Sequence, residues 1–183
     1  MNDEQAIENL KKGELDGLDV LVLKYQEKAL RTAYLITRDN DLARDAVQES
    51  FLRIYQNIRR VDISRPFEPY LLRSVVNTAL NMTEKLRRET TLDEDLPPIN
   101  LEDLLGRASS TEDQVEYAQL KEQIGACLDR LPPRERAVLI ERYYLGMNEK
   151  EMADHHDVAP GTVKWLLNTA RKRMRAFIGT EDE

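Results

Sequence analysis

Apolar residues recur at steps of three and four along most of this chain, which is the spacing of one buried face of an α-helix. One such stripe runs from Leu18 to Ile36. After a break at "RDND", a second stripe runs from Ala43 to Ile58, and Asp41 is the expected N-cap of its helix. Because the apolar pattern shows no alternation of the kind that half-buried strands need, we predict an all-α fold.

The second of these helices also has a polar face. Its members lie at helical spacing and include one leucine: Asp45, Gln48, Glu49, Leu52 and Gln56. A stripe of this kind suits plain solvent surface and a docking surface equally well. The pattern leaves both interpretations open.

A third apolar stripe extends from Leu72 to Leu86, and Pro69 is expected at the first position of its helix, which should end near Arg88. The outer face carries amides and guanidinium groups, with one carboxylate among them, at helical spacing: Arg73, Asn77, Asn81, Glu84 and Arg88. Such groups can donate hydrogen bonds to phosphates or base edges. Exposed Asn and Arg also occur on ordinary solvated helices, so a solvated face is the alternative.

Residues 91–110 combine paired prolines, a cluster of acidic residues and no sustained period, which indicates a linker. Thr111 with Gln114 forms a capping-box signature that opens another helix, ending near Leu131. We therefore expect one domain at residues 1–90 and a second at residues 111–183, joined by an acidic linker.

The sequence of the second domain predicts a helix-turn-helix. Pro133 should begin a helix that ends at Gly146, and Asn148 with Glu151 forms a capping box for a short helix ending near His156. A turn, "DVA", then leads into a longer basic helix. In a helix-turn-helix the second helix can enter the major groove of DNA.

The faces of that basic helix follow from the helical rotation of about 100° per residue. The predicted core face comprises Val163, Leu167, Ala170, Met174 and Phe177. The opposite face comprises Trp165, Asn168 and Lys172, flanked by Lys164, Arg171 and Arg175. The positive charge thus lies on the side that a groove would meet.

Charge is unevenly distributed along the 183 residues, whose net charge is -7. Residues 57–88 hold 7 Lys and Arg against 3 Asp and Glu, and residues 160–176 hold 5 against 0, whereas residues 89–129 hold 2 against 11. Two basic islands in an acidic chain suit a protein that meets a polyanion at two places. Two solvated helix faces are the plainer alternative.

Composition also limits the chemistry. A single cysteine, Cys127, cannot form an internal disulfide or a zinc cluster with other cysteines. The N-terminus lacks a basic start with an apolar core, and no apolar run approaches a membrane span, so we expect a cytoplasmic protein. His155 and His156 are adjacent, yet one histidine satisfied in the core is favoured over a metal site. Without a Gly-rich phosphate loop or a spaced catalytic pair, we expect neither an enzyme nor a cofactor.

Three segments together resemble the sigma factors of bacterial RNA polymerase, of the extracytoplasmic-function (ECF) type in the sigma-70 family. They are "DNDLARDAVQESFLRIYQNI", "FEPYLLRSVVNTALNMTEKLRR" and "LDRLPPRERAVLIERYYLGMNEKEMADHHDVAPGTVKWLLNTARKRMRAF". The resemblance covers most of the chain, and its strength lies in the order and distance of the motifs. It departs from the family pattern at Tyr70, Met82, Glu84, Trp165 and Leu166, and at the two histidines.

The resemblance implies a protein that binds core RNA polymerase and directs it to promoter DNA. Polymerase contact would then fall on Asp45, Gln48, Glu49 and Leu52, and minus-ten contact on Arg73, Asn77 and Asn81. The second domain would read the minus-thirty-five element through Lys164, Trp165, Asn168, Arg171 and Lys172. An anti-sigma factor is a further implied partner. The alternatives are a sigma mimic that binds an anti-sigma factor without promoter recognition, and an ordinary helix-turn-helix repressor.

Overall fold

The computed structural model describes residues 1–89 and 122–178, and every regular element in these two ranges is a helix. The all-α prediction is confirmed. The chain divides into two compact units, and the division falls after Glu89. The expected linker at residues 91–110 and the capping box at Thr111 lie outside the described residues. Among the described helices, none is both long and apolar enough to cross a membrane.

The first unit is a packed group of four helices. They are α1 (Asp3–Lys12), α2 (Asp16–Thr37), α3 (Asn40–Gln56) and α4 (Phe67–Glu89), with a short 3₁₀ turn at Ile58–Arg60. Helices α2, α3 and α4 pack against one another in pairs, and α1 packs on α2. The largest fully buried side chains at their centre include Tyr34, Phe67, Ile36, Leu71 and Val75. The predicted stripes therefore do form a shared core.

Two predicted helix starts are wrong by two residues. Asp39, rather than Asp41, caps α3, because its extended backbone lets the side chain accept a hydrogen bond from the Leu42 N–H at 2.8 Å. Helix α4 begins at Phe67, so Pro69 is its third residue. This position tolerates proline because N–H groups of the first turn have no partner within the helix.

One apolar position was also assigned to the wrong face. Leu86 was expected in the core stripe of α4, but its side chain is 45% exposed near the end of the helix. The last buried apolar residue of that helix is Leu80. The C-terminal part of α4 therefore extends past the residues that bury it.

Helix α1 has no counterpart in the prediction from the apolar pattern. It begins with a capping box in which the Gln5 N–H donates to Asn2 Oδ1 at 2.8 Å and the Asn2 N–H donates to Gln5 Oε1 at 3.1 Å. Gly13 ends it in the left-handed region, at φ 92°. The signature was present in the sequence, but the helix is too short to show a sustained period.

Asp3 links α1 to α2. Its carboxylate pairs with Lys24 Nζ at 2.6 Å and accepts a hydrogen bond from the Tyr25 hydroxyl. Burial by itself would raise the pKa of Asp3, but these two hydrogen bonds lower it below its ordinary value. The carboxylate is therefore held ionised at the helix N-terminus, where a negative charge also suits the helix dipole.

The second unit is built around its last helix. Residues 122–129 form α5, followed by α6 (Pro133–Leu139), a π-helical turn (Ile140–Tyr144), α7 (Glu149–His156) and α8 (Pro160–Ile178). Helices α6 and α7 both pack on α8. The start at Pro133 is confirmed, and so is the capping box of α7, in which Asn148 Oδ1 lies 2.9 Å from the Glu151 nitrogen.

A three-residue turn at residues 157–159 joins α7 to α8. Asp157 adopts the left-handed region at φ 53° and ends α7. The Thr162 N–H donates to the Ala159 carbonyl at 2.9 Å, which starts α8. This short helix, tight turn and longer helix form the predicted helix-turn-helix.

Candidate functional site

The polar face of α3 lies on the surface of the first unit. Asp45 and Gln48 are exposed, Leu52 is 48% exposed, and Glu49 is half-buried. Glu49 Oε1 pairs with Arg53 Nη2 at 3.0 Å along the same helix. We call these four residues, Asp45, Gln48, Glu49 and Leu52, the α3 polar face. An apolar side chain in this setting gives a partner a hydrophobic contact surrounded by hydrogen-bonding groups.

A buried polar contact fixes α3 against α4. The Ser50 hydroxyl donates to the Ala46 carbonyl at 2.7 Å and lies 3.2 Å from the Thr78 hydroxyl. Ser50 and Thr78 are both buried, so each gains from the partner that it finds across the helix interface. The outer faces of the two helices are thereby held in a fixed relation.

The amide and guanidinium strip of α4 lies on its outer side. Arg73 and Asn81 are exposed, while Asn77 is half-buried. Further along, Glu84 Oε2 lies 3.7 Å from Arg88 Nη2. The carboxylate thus offsets part of the positive charge at the end of the strip, whereas the positions from Arg73 to Asn81 present groups that can donate to an anion or a base edge.

The loop before α4 has an ordered turn that the sequence pattern did not reveal. Asp62 Oδ1 accepts hydrogen bonds from the Ser64 hydroxyl at 2.7 Å and the Ser64 N–H at 3.0 Å, and Asp62 Oδ2 pairs with Arg65 Nε at 3.2 Å. The hydrogen bonds from Ser64 hold the pKa of Asp62 below its ordinary value. Lys11 Nζ donates to the Val61 carbonyl at 2.7 Å and ties the loop to α1. The loop therefore meets α4 with a defined backbone path.

Helix α8 presents the two faces that its spacing predicts. Val163, Leu167 and Ala170 are buried, and Met174 and Phe177 are half-buried. The exposed residues on the other side are Lys164, Trp165, Asn168 and Lys172. Trp165 is 62% exposed, an unusual position for so large an aromatic side chain. We call Lys164, Trp165, Asn168, Arg171 and Lys172 the α8 outer face.

The basic residues of α8 have different surroundings. Arg171 Nε donates to the Tyr143 hydroxyl at 2.8 Å, and its guanidinium lies 5.7 Å from the centre of that ring. Arg173 Nη1 pairs instead with the buried Glu135 at 3.0 Å. Arg173 therefore binds α8 to α6, while Arg171 is held at the surface. Tyr143, which is 66% exposed, was missed by the sequence analysis.

The adjacent histidines at the end of α7 both contact one carboxylate. His155 Nδ1 lies 2.6 Å from Glu141 Oε1, and His156 Nε2 lies 2.7 Å from Glu141 Oε2. Burial alone would raise the pKa of Glu141, but the hydrogen bonds from the two imidazoles lower it below its ordinary value. Glu141 is a further residue that the sequence analysis did not single out.

Two family models match the chain, one for each unit. The model "Sigma-70 region 2" matches residues 21–89, and "Sigma-70, region 4" matches residues 121–174. The chain belongs to the sigma-70 family. Three relatives that are similar over 93% to 99% of their length place this sigma factor in the ECF type, as the sequence motifs predict.

The relatives come from different bacteria. This sigma factor is 26% identical over 176 residues to the "ECF RNA polymerase sigma factor SigW" of Bacillus subtilis, with 94% of both chains covered. It is 29% identical over 176 residues to the "RNA polymerase sigma-H factor" of Pseudomonas aeruginosa, covering 93% of this chain and 90% of the relative.

Solved structures share the fold. A complex of CnrH with the cytosolic domain of CnrY gives a TM-score of 0.63 at 17% identity, with 97% of both chains covered. The sigma factor RpoE of Bartonella quintana, in complex with the anti-sigma factor NepR, gives a TM-score of 0.67 at 16% identity. That alignment covers 88% of this chain and 96% of RpoE.

Proposed function

We propose that this sigma factor binds core RNA polymerase through the α3 polar face and directs it to promoters through α4 and α8. The observation that carries the proposal is that both family regions are present and each leaves its chemically distinctive helix face exposed. The protein acts by binding, and the chemistry of RNA synthesis belongs to the polymerase. It therefore works in the cytoplasm, where the polymerase and the promoter are.

The α3 polar face suits a protein partner. Asp45 and Gln48 offer exposed hydrogen-bond acceptors and donors, and Leu52 already exposes nearly half of its surface. Docking a partner on this face would bury the leucine, at a gain of about 25 cal/mol for each Å² removed from water. The opposite side of α3 is committed to the core, so this face is the side that a partner can reach.

The strip on α4 suits opened DNA. In a melted minus-ten element the bases are unpaired, and their edges can accept hydrogen bonds from Arg73, Asn77 and Asn81. The ordered loop before α4 adds exposed cations at Arg59 and Arg60 that can contact the strand backbone. Binding energy released on an unpaired strand favours the open form of the promoter, which is how a protein without a catalytic group can assist melting.

The α8 outer face suits duplex DNA. Helix α8 is the second helix of the helix-turn-helix, whose N-terminal residues face base edges when the helix lies in the major groove. Lys164, Trp165 and Asn168 lie towards that end, while Arg171 and Lys172 lie one to two turns further on, where phosphates flank the groove. We assign the first three to reading sequence in the minus-thirty-five element and the last two to holding the backbone.

A sigma mimic that has lost promoter recognition is the alternative function. It is not favoured, because relatives similar over nearly their whole length are named as sigma factors and the α8 outer face keeps its cations. An anti-sigma factor is a further proposed partner, since the structurally similar RpoE is bound to one.

Reconstitution with core polymerase tests the proposal. The double variant Asp45→Ala with Gln48→Ala should weaken core binding by at least about tenfold, which corresponds to about 1.4 kcal/mol, and should reduce promoter-dependent transcription in vitro at limiting sigma. Affinity is measured by fluorescence anisotropy of labelled sigma factor titrated with core enzyme.

The matched control is Asp19→Ala with Gln26→Ala, which changes the same residue types at exposed positions of α2. The control should bind core enzyme as the unmodified protein does. If both double variants bind equally well and retain normal helicity, the α3 polar face is not the polymerase contact. If the unmodified protein binds core enzyme but supports no promoter-dependent transcription, the mimic is the better description.

A further inference from the structure

Glu141, His155 and His156 bring three metal-ligating side chains together inside the second unit. Their candidate ligand atoms, one from each residue, all lie within 4.8 Å of one another. The Glu141 side chain is fully buried, and those of His155 and His156 are only 4% and 16% exposed. The cluster is therefore an internal feature of the unit and not a chance grouping on its surface.

We propose that this cluster is a binding site for a divalent transition-metal ion of the zinc class. Imidazole nitrogen and carboxylate oxygen are ligands that Zn²⁺ takes, at about 2.0 to 2.2 Å. Two such ligands of a tetrahedral ion lie about 3.3 Å apart. The nitrogen–oxygen pairs at 2.6 and 2.7 Å would need to open by about 0.6 to 0.7 Å, and the widest separation among the three ligand atoms, which is within 4.8 Å, would need to close by at most about 1.5 Å.

The charge of the cluster also suits a cation. The Glu141 carboxylate has no exposed surface. It contacts one ring nitrogen of each histidine, and a ring N–H group brings only partial positive charge when the imidazole is neutral. A divalent ion between the three side chains would compensate the buried carboxylate more fully. This arrangement distinguishes Glu141 from an exposed carboxylate, which gains little from a bound ion.

Metal binding requires a defined rearrangement of protons. Lone pairs of His155 Nδ1 and His156 Nε2 must face the ion, so the proton that each nitrogen donates to Glu141 moves to the other ring nitrogen or leaves. His156 retains some exposure, which gives water access to the site. The fourth position of a tetrahedral ion can be filled by that water or by the second oxygen of Glu141.

An ion here would connect two elements of the helix-turn-helix region. Glu141 lies in the π-helical turn, and the histidines form the last turn of α7, directly before the turn that leads into α8. The sequence favoured a core histidine over a metal and did not single out Glu141, which lies 14 and 15 residues upstream of the pair. The folded chain brings it into contact with both rings.

Composition makes the site testable without ambiguity. The chain has two histidines and one cysteine, so any imidazole ligation must come from this pair. Full-length protein without a polyhistidine tag is stripped with a chelator and titrated with Co²⁺ as a spectroscopic probe. We expect one equivalent to give the visible d–d absorption of a four-coordinate site and Zn²⁺ to displace it. Saturation with Zn²⁺ should also shift the imidazole NMR resonances of both histidines.

Variants assign the ligands. His156→Gln and Glu141→Gln should each lower Zn²⁺ affinity by more than about tenfold. The matched control is Asp157→Asn, which removes an exposed carboxylate next to His156 and keeps a residue type that tolerates the left-handed backbone there. Imidazole resonances of the unmodified protein that do not move with Zn²⁺ would overturn the proposal without relying on any variant. An equal loss of affinity in Asp157→Asn and His156→Gln would overturn it as well.

Discussion

Arg171 and Lys172 are neighbours in sequence, yet their side chains are constrained to different degrees. The Arg171 guanidinium is anchored by the Tyr143 hydroxyl and lies 3.5 Å from Asn168 Oδ1, whereas Lys172 is exposed. An anchored cation loses less side-chain entropy when it binds a phosphate. If the α8 outer face binds DNA as proposed, Tyr143 positions Arg171 for that contact.

Substitutions on the α8 outer face should separate into two kinds of loss. Lys172→Ala should lower transcription from all promoters by a similar factor, because a phosphate contact carries no sequence information. It should also reduce the slope of promoter affinity against salt concentration by about one charge. Lys164→Ala, Trp165→Ala or Asn168→Ala should instead change the preferred upstream element, by about 1 to 3 kcal/mol for a base-specific contact. The measurement is transcription by reconstituted holoenzyme from randomised upstream elements at several salt concentrations.

Arg175→Ala serves as the comparison, because Arg175 is exposed on the same side of α8 but lies near the C-terminal end of the helix, away from the residues assigned to base edges. It should leave the preferred element unaltered. If Trp165→Ala does the same yet abolishes capture by a protein partner, Trp165 belongs to a protein contact. If none of these substitutions changes either activity or preference, the duplex-reading role of α8 is wrong.

At the level of single residues, the sequence predicted which side of a helix a residue occupies but not what it touches. Helical rotation alone assigned Trp165 and Val163 to opposite faces. The partner of Arg171 lies 28 residues away, and that of Arg173 is on α6. Such pairs depend on how helices pack, which no local period encodes.

Among the elements, α1 and α2 come into close contact at Gly17. A Cβ atom at this position would lie 2.2 Å from the Ala6 carbonyl oxygen and 3.0 Å from its carbon. Both are backbone atoms, so no side-chain rotation can relieve the overlap. Glycine is required here because of the close approach of two helices and not because of a special backbone angle.

Gly17→Ala should therefore separate α1 from α2. We expect the free energy of unfolding to fall by about 2 to 3 kcal/mol, at the upper end of the usual cost of overpacking. Gly161→Ala is the control, since a Cβ there would meet nothing within 4 Å and the helix should gain slightly from alanine. The measurement is urea unfolding of the full-length protein followed by far-UV circular dichroism. Equal stability of the two variants would contradict the packing of α1 on α2.

Element boundaries show where the sequence pattern was sufficient and where it was not. Long stripes predicted α2, α3, α4 and α8, because each buries one face over several turns. The start of α3 was misplaced because Asp39 and Asp41 are both acceptable caps, and the backbone conformation decides between them. The π-helical turn at Ile140–Tyr144 has no sequence signature and became apparent only in the structure.

For the whole molecule, charge works against binding to DNA outside the two basic islands. The net charge is -7, and residues 89–129 alone carry 11 acidic against 2 basic residues. Phosphates are repelled by this excess except near α4 and α8. The sequence was sufficient to predict the division into two helical units and the family, because both depend on the order and spacing of long motifs.

The free chain should accordingly bind duplex promoter DNA weakly. We expect a dissociation constant no tighter than about 1 µM at physiological salt, in the range of non-specific binding. The reconstituted holoenzyme should bind the same promoter at least about a hundredfold more tightly, because specific binding exceeds non-specific binding by a large factor. Fluorescence anisotropy with promoter and scrambled duplexes measures both. Tight, sequence-specific binding by the free chain would instead favour a helix-turn-helix repressor.

The buried residues of α8 hold the helix in the fold, and the exposed residues proposed to select the promoter are a separate set. Val163, Leu167 and Ala170 anchor the helix, and Arg173 ties it to α6, while Lys164, Trp165 and Asn168 take no part in that packing. The outward positions can therefore be exchanged without disturbing the scaffold. If these three residues read the upstream element as proposed, a library randomised at them should yield a series of regulators with distinct promoters that operate side by side in one cell, as synthetic gene circuits require.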